Sequence, residues 1–98
     1  RRPARTAATM YGDVIIDSRG AAKMLRNGDK IRGNVYLQNM RKYSLPCGVR
    51  IEGNLFLRDV NMVQFCGDFT VTGNIYVSPK SSFGPIPRTA RLGGQVIL

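Results

Sequence analysis

The chain has 98 residues, which allows one domain with a modest core. Fifteen basic residues against six acidic give a net charge of +9, a balance that favours nucleic acid, anionic lipid or an acidic protein surface, or simply keeps the domain in solution. Two cysteines and no histidine exclude His-based triads and haem ligation, Cys47 and Cys66 cannot complete a zinc site alone, and no stretch approaches the roughly 18 apolar residues of a membrane helix.

In chain order, residues 1–9 come first, a basic arm carrying Arg1, Arg2 and Arg5. From Met10 to Leu98 a repeat takes over. Its units are Met10-Tyr11-Gly12-Asp13-Val14-Ile15-Ile16, Ile31-Arg32-Gly33-Asn34-Val35-Tyr36-Leu37, Ile51-Glu52-Gly53-Asn54-Leu55-Phe56-Leu57, Val71-Thr72-Gly73-Asn74-Ile75-Tyr76-Val77 and Leu92-Gly93-Gly94-Gln95-Val96-Ile97-Leu98. The central glycines are spaced by 21, 20, 20 and 21 residues. Two further apolar columns share the period: Leu25, Leu45, Phe65 and Ile86, and Ala22, Tyr43, Val63 and Phe83. The extra residue of each longer spacing falls between these two columns, at a corner.

Each unit alternates apolar and polar residues with period two and is rich in Val, Ile, Leu, Tyr and Phe, the signature of a strand. Twenty residues are too few for a helical repeat. The one helix-tolerant stretch, Ala21 to Arg26, is too short to stand as a helix. The sequence therefore predicts an all-β fold, a short parallel β-solenoid (β-helix) of about five coils with 20–21 residues per coil. The Gly-Asn step marks a bend, with glycine allowing positive φ or close backbone approach. Asp13, Asn34, Asn54, Asn74 and Gln95 then stack as a hydrogen-bonding ladder. The stretch Ser78 to Pro87 holds three prolines and reads as a corner with Phe83 and Ile86 turned inward.

Leu45-Pro46-Cys47-Gly48-Val49-Arg50-Ile51-Glu52-Gly53-Asn54-Leu55-Phe56-Leu57 resembles the Leu-Pro-x-Gly-Leu-x-Val-x-Gly-Asn-Leu-x-Leu repeat of bacterial and prophage proteins, including some type III secretion effectors. The Leu-Pro element is clean once; the other coils read Leu25-Arg26, Phe65-Cys66 and Ile86-Pro87. A weaker resemblance is to bactofilins, self-assembling bacterial β-helices. The first resemblance implies a binding or targeting solenoid of a secreted bacterial effector, working inside a host cell where thiols stay reduced. Neither carries catalytic residues onto this chain.

The third residue after each glycine points outward, so Ile15, Tyr36, Phe56, Tyr76 and Ile97 form one apolar stripe. Stripes of this kind mark an interface. A second outward column holds Lys30, Arg50, Thr70 and Arg91, with Arg32 and Glu52 further on and on the same face. A basic row beside an aromatic row is the recipe for single-stranded nucleic acid, and a basic row also suits anionic membrane. Cys47 and Cys66 fall on adjacent coils but one position out of register, so free thiols are expected. The six acids belong to turns or strand ends, and no enzyme activity, metal or cofactor is expected. The chain begins on Arg1 and stops at Leu98 inside an apolar pattern, as a domain cut from a longer protein would. The leading expectation is a non-catalytic protein-interaction module, binding a protein partner or a neighbouring domain through the stripe. A self-assembling structural module, with copies stacking by their ends or stripes, is the runner-up, and binding of nucleic acid or anionic membrane the third.

Overall fold

The computed structural model describes residues 8–98, so Arg1, Arg2 and Arg5 of the basic arm lie outside the described residues. Its elements in order are β1 (Thr9–Tyr11), β2 (Val14–Ile16), one helical turn α1 (Arg19–Ala22), β3 (Lys30–Arg32), β4 (Val35–Ser44), β5 (Arg50–Ile51), β6 (Leu55–Gln64), β7 (Thr70–Val71), β8 (Ile75–Val77), β9 (Arg91–Leu92) and β10 (Val96–Ile97). The odd strands form one five-stranded parallel sheet, β1-β3-β5-β7-β9, and the even strands a second, β2-β4-β6-β8-β10. Each winding places one strand in each sheet, so the chain is the parallel β-solenoid that the repeat predicts.

The register follows the glycine spacing. Val14 pairs with Val35, Val35 with Leu55, Leu55 with Ile75 and Ile75 with Val96. The offset is 20 at Val63–Phe83, between the third and fourth coils, and 21 at Thr70–Arg91, between the fourth and fifth, so the extra residue sits at the corner of the fourth coil between them. Inward residues stack in columns that close the core. Ile16, Ile31, Val35, Leu37, Val49, Ile51, Leu55, Val60, Val63, Phe69 and Val71 are all fully or almost fully buried. Phe83 and Ile86 pack against this core from the proline-rich corner. The short helix lies slightly before the helix-tolerant stretch, because the Ser18 hydroxyl accepts the Ala21 N–H and starts the turn there.

The glycines do two different jobs. A Cβ on Gly33, Gly53, Gly73 or Gly94 would run into the preceding coil: Gly12 O, Gly33 O, Asn54 Oδ1 and Asn74 Oδ1 respectively. At these positions close approach, not φ, demands glycine. Gly12 has open space around its Cβ position and instead needs a φ of +92°. Left-handed backbone is also used by Asn39 and Asp59, one coil apart inside β4 and β6. They break the period-two alternation, so Met40 and Val60 turn back toward the core and the second sheet bends round the corner.

One buried acid completes the first coil. Asp29 is fully buried in the column otherwise filled by Val49, Phe69 and Ala90. Its Oδ1 accepts the Ala8 N–H at 2.9 Å and its Oδ2 the Arg26 N–H at 3.0 Å. The carboxylate thereby fastens the entry of the first strand to the next coil, which is how a buried charge is tolerated.

Candidate functional site

The apolar stripe lies on the outer face of the second sheet. Ile15, Tyr36, Phe56, Tyr76 and Ile97 are consecutive partners in register. The three rings are stacked, with Tyr36 and Phe56 centroids 4.7 Å apart and Phe56 and Tyr76 4.9 Å apart, the planes within 7° and 11° of parallel. That separation is the spacing of neighbouring strands, so the pairing itself sets the stack. Ile15 is 52% exposed and Ile97 38%, while the rings cover one another and show mainly their edges. The Asn74 side-chain amide donates to the Tyr76 hydroxyl at 3.1 Å and fixes that ring to the bend.

Arg58 belongs to this site and was not singled out in the sequence. Its guanidinium lies 5.0 Å from the Tyr36 centroid and 5.5 Å from that of Phe56. The available signal was spacing: residues 56 and 58 share a strand face. Beside it Phe56, Arg58, Tyr76, Ser78, Ile97 and Leu98 border a shallow groove of about 240 Å³.

The basic row is on the other sheet. Lys30, Arg50, Thr70 and Arg91 are in register across β3, β5, β7 and β9. Arg32, at the end of β3, and Glu52, just past the end of β5, flank this row. The row and the stripe do not adjoin: the Gly-Asn bend lies between their sheets. The basic row is also not uniformly free. Glu52 accepts from Arg50 Nε at 2.9 Å and from Arg32 Nε at 3.1 Å. The hydrogen bond from Arg50, reinforced by Arg32, holds the Glu52 carboxyl below the usual carboxylate range.

The bend between the sheets carries the ladder. Asp13 Oδ1 accepts the Asn34 N–H at 3.0 Å; Asn34, Asn54 and Asn74 accept the N–H of Asn54, Asn74 and Gln95, each at 2.8 Å. The rungs are thus side chain to backbone, not side chain to side chain. This satisfies amides that the bend would otherwise leave unpaired.

The expected free thiols are not found: Cys47 and Cys66 form a disulfide, with Cα atoms 4.7 Å apart. The single-position offset is absorbed because both cysteines sit at a corner, where Gly48 (φ +71°) and Asp68 (φ +63°) turn the chain and bring the side chains together. The bridge borders an open depression of about 590 Å³ with Leu25, Leu45, Pro46 and Phe65. Among the described residues no three cysteine or carboxylate groups converge on a metal position. Comparison with protein-family models, with curated proteins and with solved structures returns no match.

Proposed function

We propose that this solenoid is a non-catalytic interaction module that docks a protein surface along the Ile15-Tyr36-Phe56-Tyr76-Ile97 stripe. The observation that carries this reading is the stack itself. Five coils contribute one apolar residue each to a single straight row, and neighbouring backbone pairing makes the row rigid before any partner arrives. Rigid aromatic surface with a polar rim is what protein interfaces use as anchors, because little side-chain entropy is lost on docking. Arg58 supplies the rim. The resemblance to effector repeats supports the same reading, with a partner in a host cell.

The stack speaks against base recognition by the stripe. Single-stranded nucleic acid stacks on free ring faces, and here Phe56 has a ring on both sides. A photo-crosslinking residue at Phe56, compared with one at Thr72 on the other sheet, tests the proposal. Protein adducts that form only from position 56 and vanish in an Ile15→Glu/Ile97→Glu background support it. Equal labelling from both positions sinks it.

A further inference from the structure

The outer face of the first sheet carries a feature that the stripe does not explain. Two arginines from successive coils converge on one carboxylate. Both reach Glu52 through Nε, Arg50 at 2.9 Å and Arg32 at 3.1 Å, one to each carboxylate oxygen. Their terminal Nη groups make no hydrogen bond among the described residues. A guanidinium held by Nε points its remaining fork outward in a fixed plane. Lys30 is the register partner of Arg50 on the adjacent coil, so a third cation stands one strand spacing away. Arg32 and Arg50 remain well exposed, with side chains 57% and 47% accessible.

Such an arrangement is more than diffuse charge. An exposed ion pair contributes little to stability, and one carboxylate cannot neutralise three cations. The arrangement does orient two forks for a tetrahedral oxyanion, which arginine binds in bidentate fashion. We propose that Lys30, Arg32 and Arg50, with Glu52 as a positioning residue, form a binding site for the sulfate groups of a sulfated polysaccharide lying along the solenoid axis.

Three observations choose this ligand over other polyanions. Among its described outward residues the sheet offers one ring, Tyr11 beside Arg32, where a strand of bases needs a succession of them, since Tyr36, Phe56 and Tyr76 are on the other sheet. Tyr11 is the single large apolar side chain among the outward residues of β1, β3, β5, β7 and β9, and one side chain is too little apolar surface to anchor the sheet in lipid. Thr70 and Thr72 continue the two columns on the next coil and supply hydroxyls suited to sugar hydroxyls.

The test is calorimetric titration of the whole chain at physiological salt. The probes are a heparin-derived oligosaccharide, an unsulfated hyaluronan oligosaccharide of equal length, a single-stranded oligonucleotide of equal charge and vesicles of anionic phospholipid. The sulfated probe should bind at least about tenfold more tightly than the other three, since it alone combines tetrahedral oxyanions for the forks with sugar hydroxyls for Thr70 and Thr72 and needs neither stacked bases nor an inserted chain. Arg50→Lys keeps the net charge but loses the fork and should weaken binding about tenfold. Arg41→Lys, on the other sheet, should leave it unchanged. Glu52→Gln decides the question of sign. Simple attraction predicts tighter binding when a negative charge is removed; positioning predicts weaker binding. Unchanged or tighter binding by Glu52→Gln, no effect of Arg50→Lys, or equal affinity for the oligonucleotide or the vesicles would each overturn the proposal.

Discussion

Asn74 donates its backbone N–H to the side-chain oxygen of Asn54, 2.8 Å away in the preceding coil. Asn54 makes the same bond to Asn34. Truncating an interior member therefore leaves a half-buried amide without an acceptor. Asn54→Ala should destabilise by about 1–3 kcal/mol, whereas Gln95→Ala, whose side chain supports no later coil among the described residues, should cost less than about 0.5 kcal/mol. Urea denaturation of the two variants measures the difference.

Gly53 faces the carbonyl of Gly33 with no room for a Cβ, while the Cβ position of Gly84 meets the Val63 carbonyl at an ordinary 3.8 Å. Gly53→Ala should therefore destabilise by about 1–3 kcal/mol or more, since the whole coil must shift. Gly84→Ala precedes a proline and asks for no unusual φ. It should be neutral or stabilise by up to about 1 kcal/mol through the unfolded chain. Thermal melts of the pair separate crowding from a general intolerance of substitution.

These contrasts also show what a sequence of this kind discloses. The columns were legible because five copies at one period reinforce each other, so strands, core, ladder and stripe all followed from alignment alone. Features that occur once or twice were not. Asn39 and Asp59 turn the chain with left-handed backbone, a role that any polar loop residue resembles in one dimension. Convergence of Cys47 and Cys66 depends on that kind of corner geometry, and an offset of one position reads as a mismatch. The two sheets were merged into a single outer face because alternation gives inward and outward but not the angle at the Gly-Asn bend. Asp29, read as a turn acid, is instead buried in the column of Val49, Phe69 and Ala90, and its place in that column was the signal that went unused.

Tyr43 is 4% exposed, and its hydroxyl has no hydrogen-bond partner among the described residues. Burial pushes its pKa from 10.0 up to about 12. The folded state thus holds the phenol proton more tightly than the unfolded state does. The stability this residue provides is complete below pH 10 and falls as the pH rises from 10 through about 12, by roughly 1.4 kcal/mol for each pH unit in that window. Tyr43→Phe should stabilise the protein by about 1 kcal/mol at neutral pH and flatten this part of its alkaline profile. Unfolding followed between pH 9 and pH 12 for both proteins checks the two effects together.

Reduction of the Cys47–Cys66 bridge should lower stability without dispersing the coils. The bridge closes a loop 19 residues long, for which chain entropy gives about 3 kcal/mol. The corner keeps other ties, including Gly48 N–H to Gly67 O at 3.1 Å and Cys47 N–H to Asn27 Oδ1 at 2.9 Å. Cys47→Ser/Cys66→Ser should show the same drop in urea midpoint as the reduced protein, with an unchanged far-ultraviolet circular dichroism spectrum.

In the Asp13-to-Gln95 ladder the accepting oxygen always belongs to the earlier coil and the donating amide to the later one. A ribosome releases the chain in that same direction. Each completed winding thus leaves the exit with its acceptor already set, and about 20 further residues bring the amide that it needs. The order of synthesis and the order of hydrogen bonding coincide, so the molecule can assemble winding by winding as it is made, with no step that must wait for the far end of the chain.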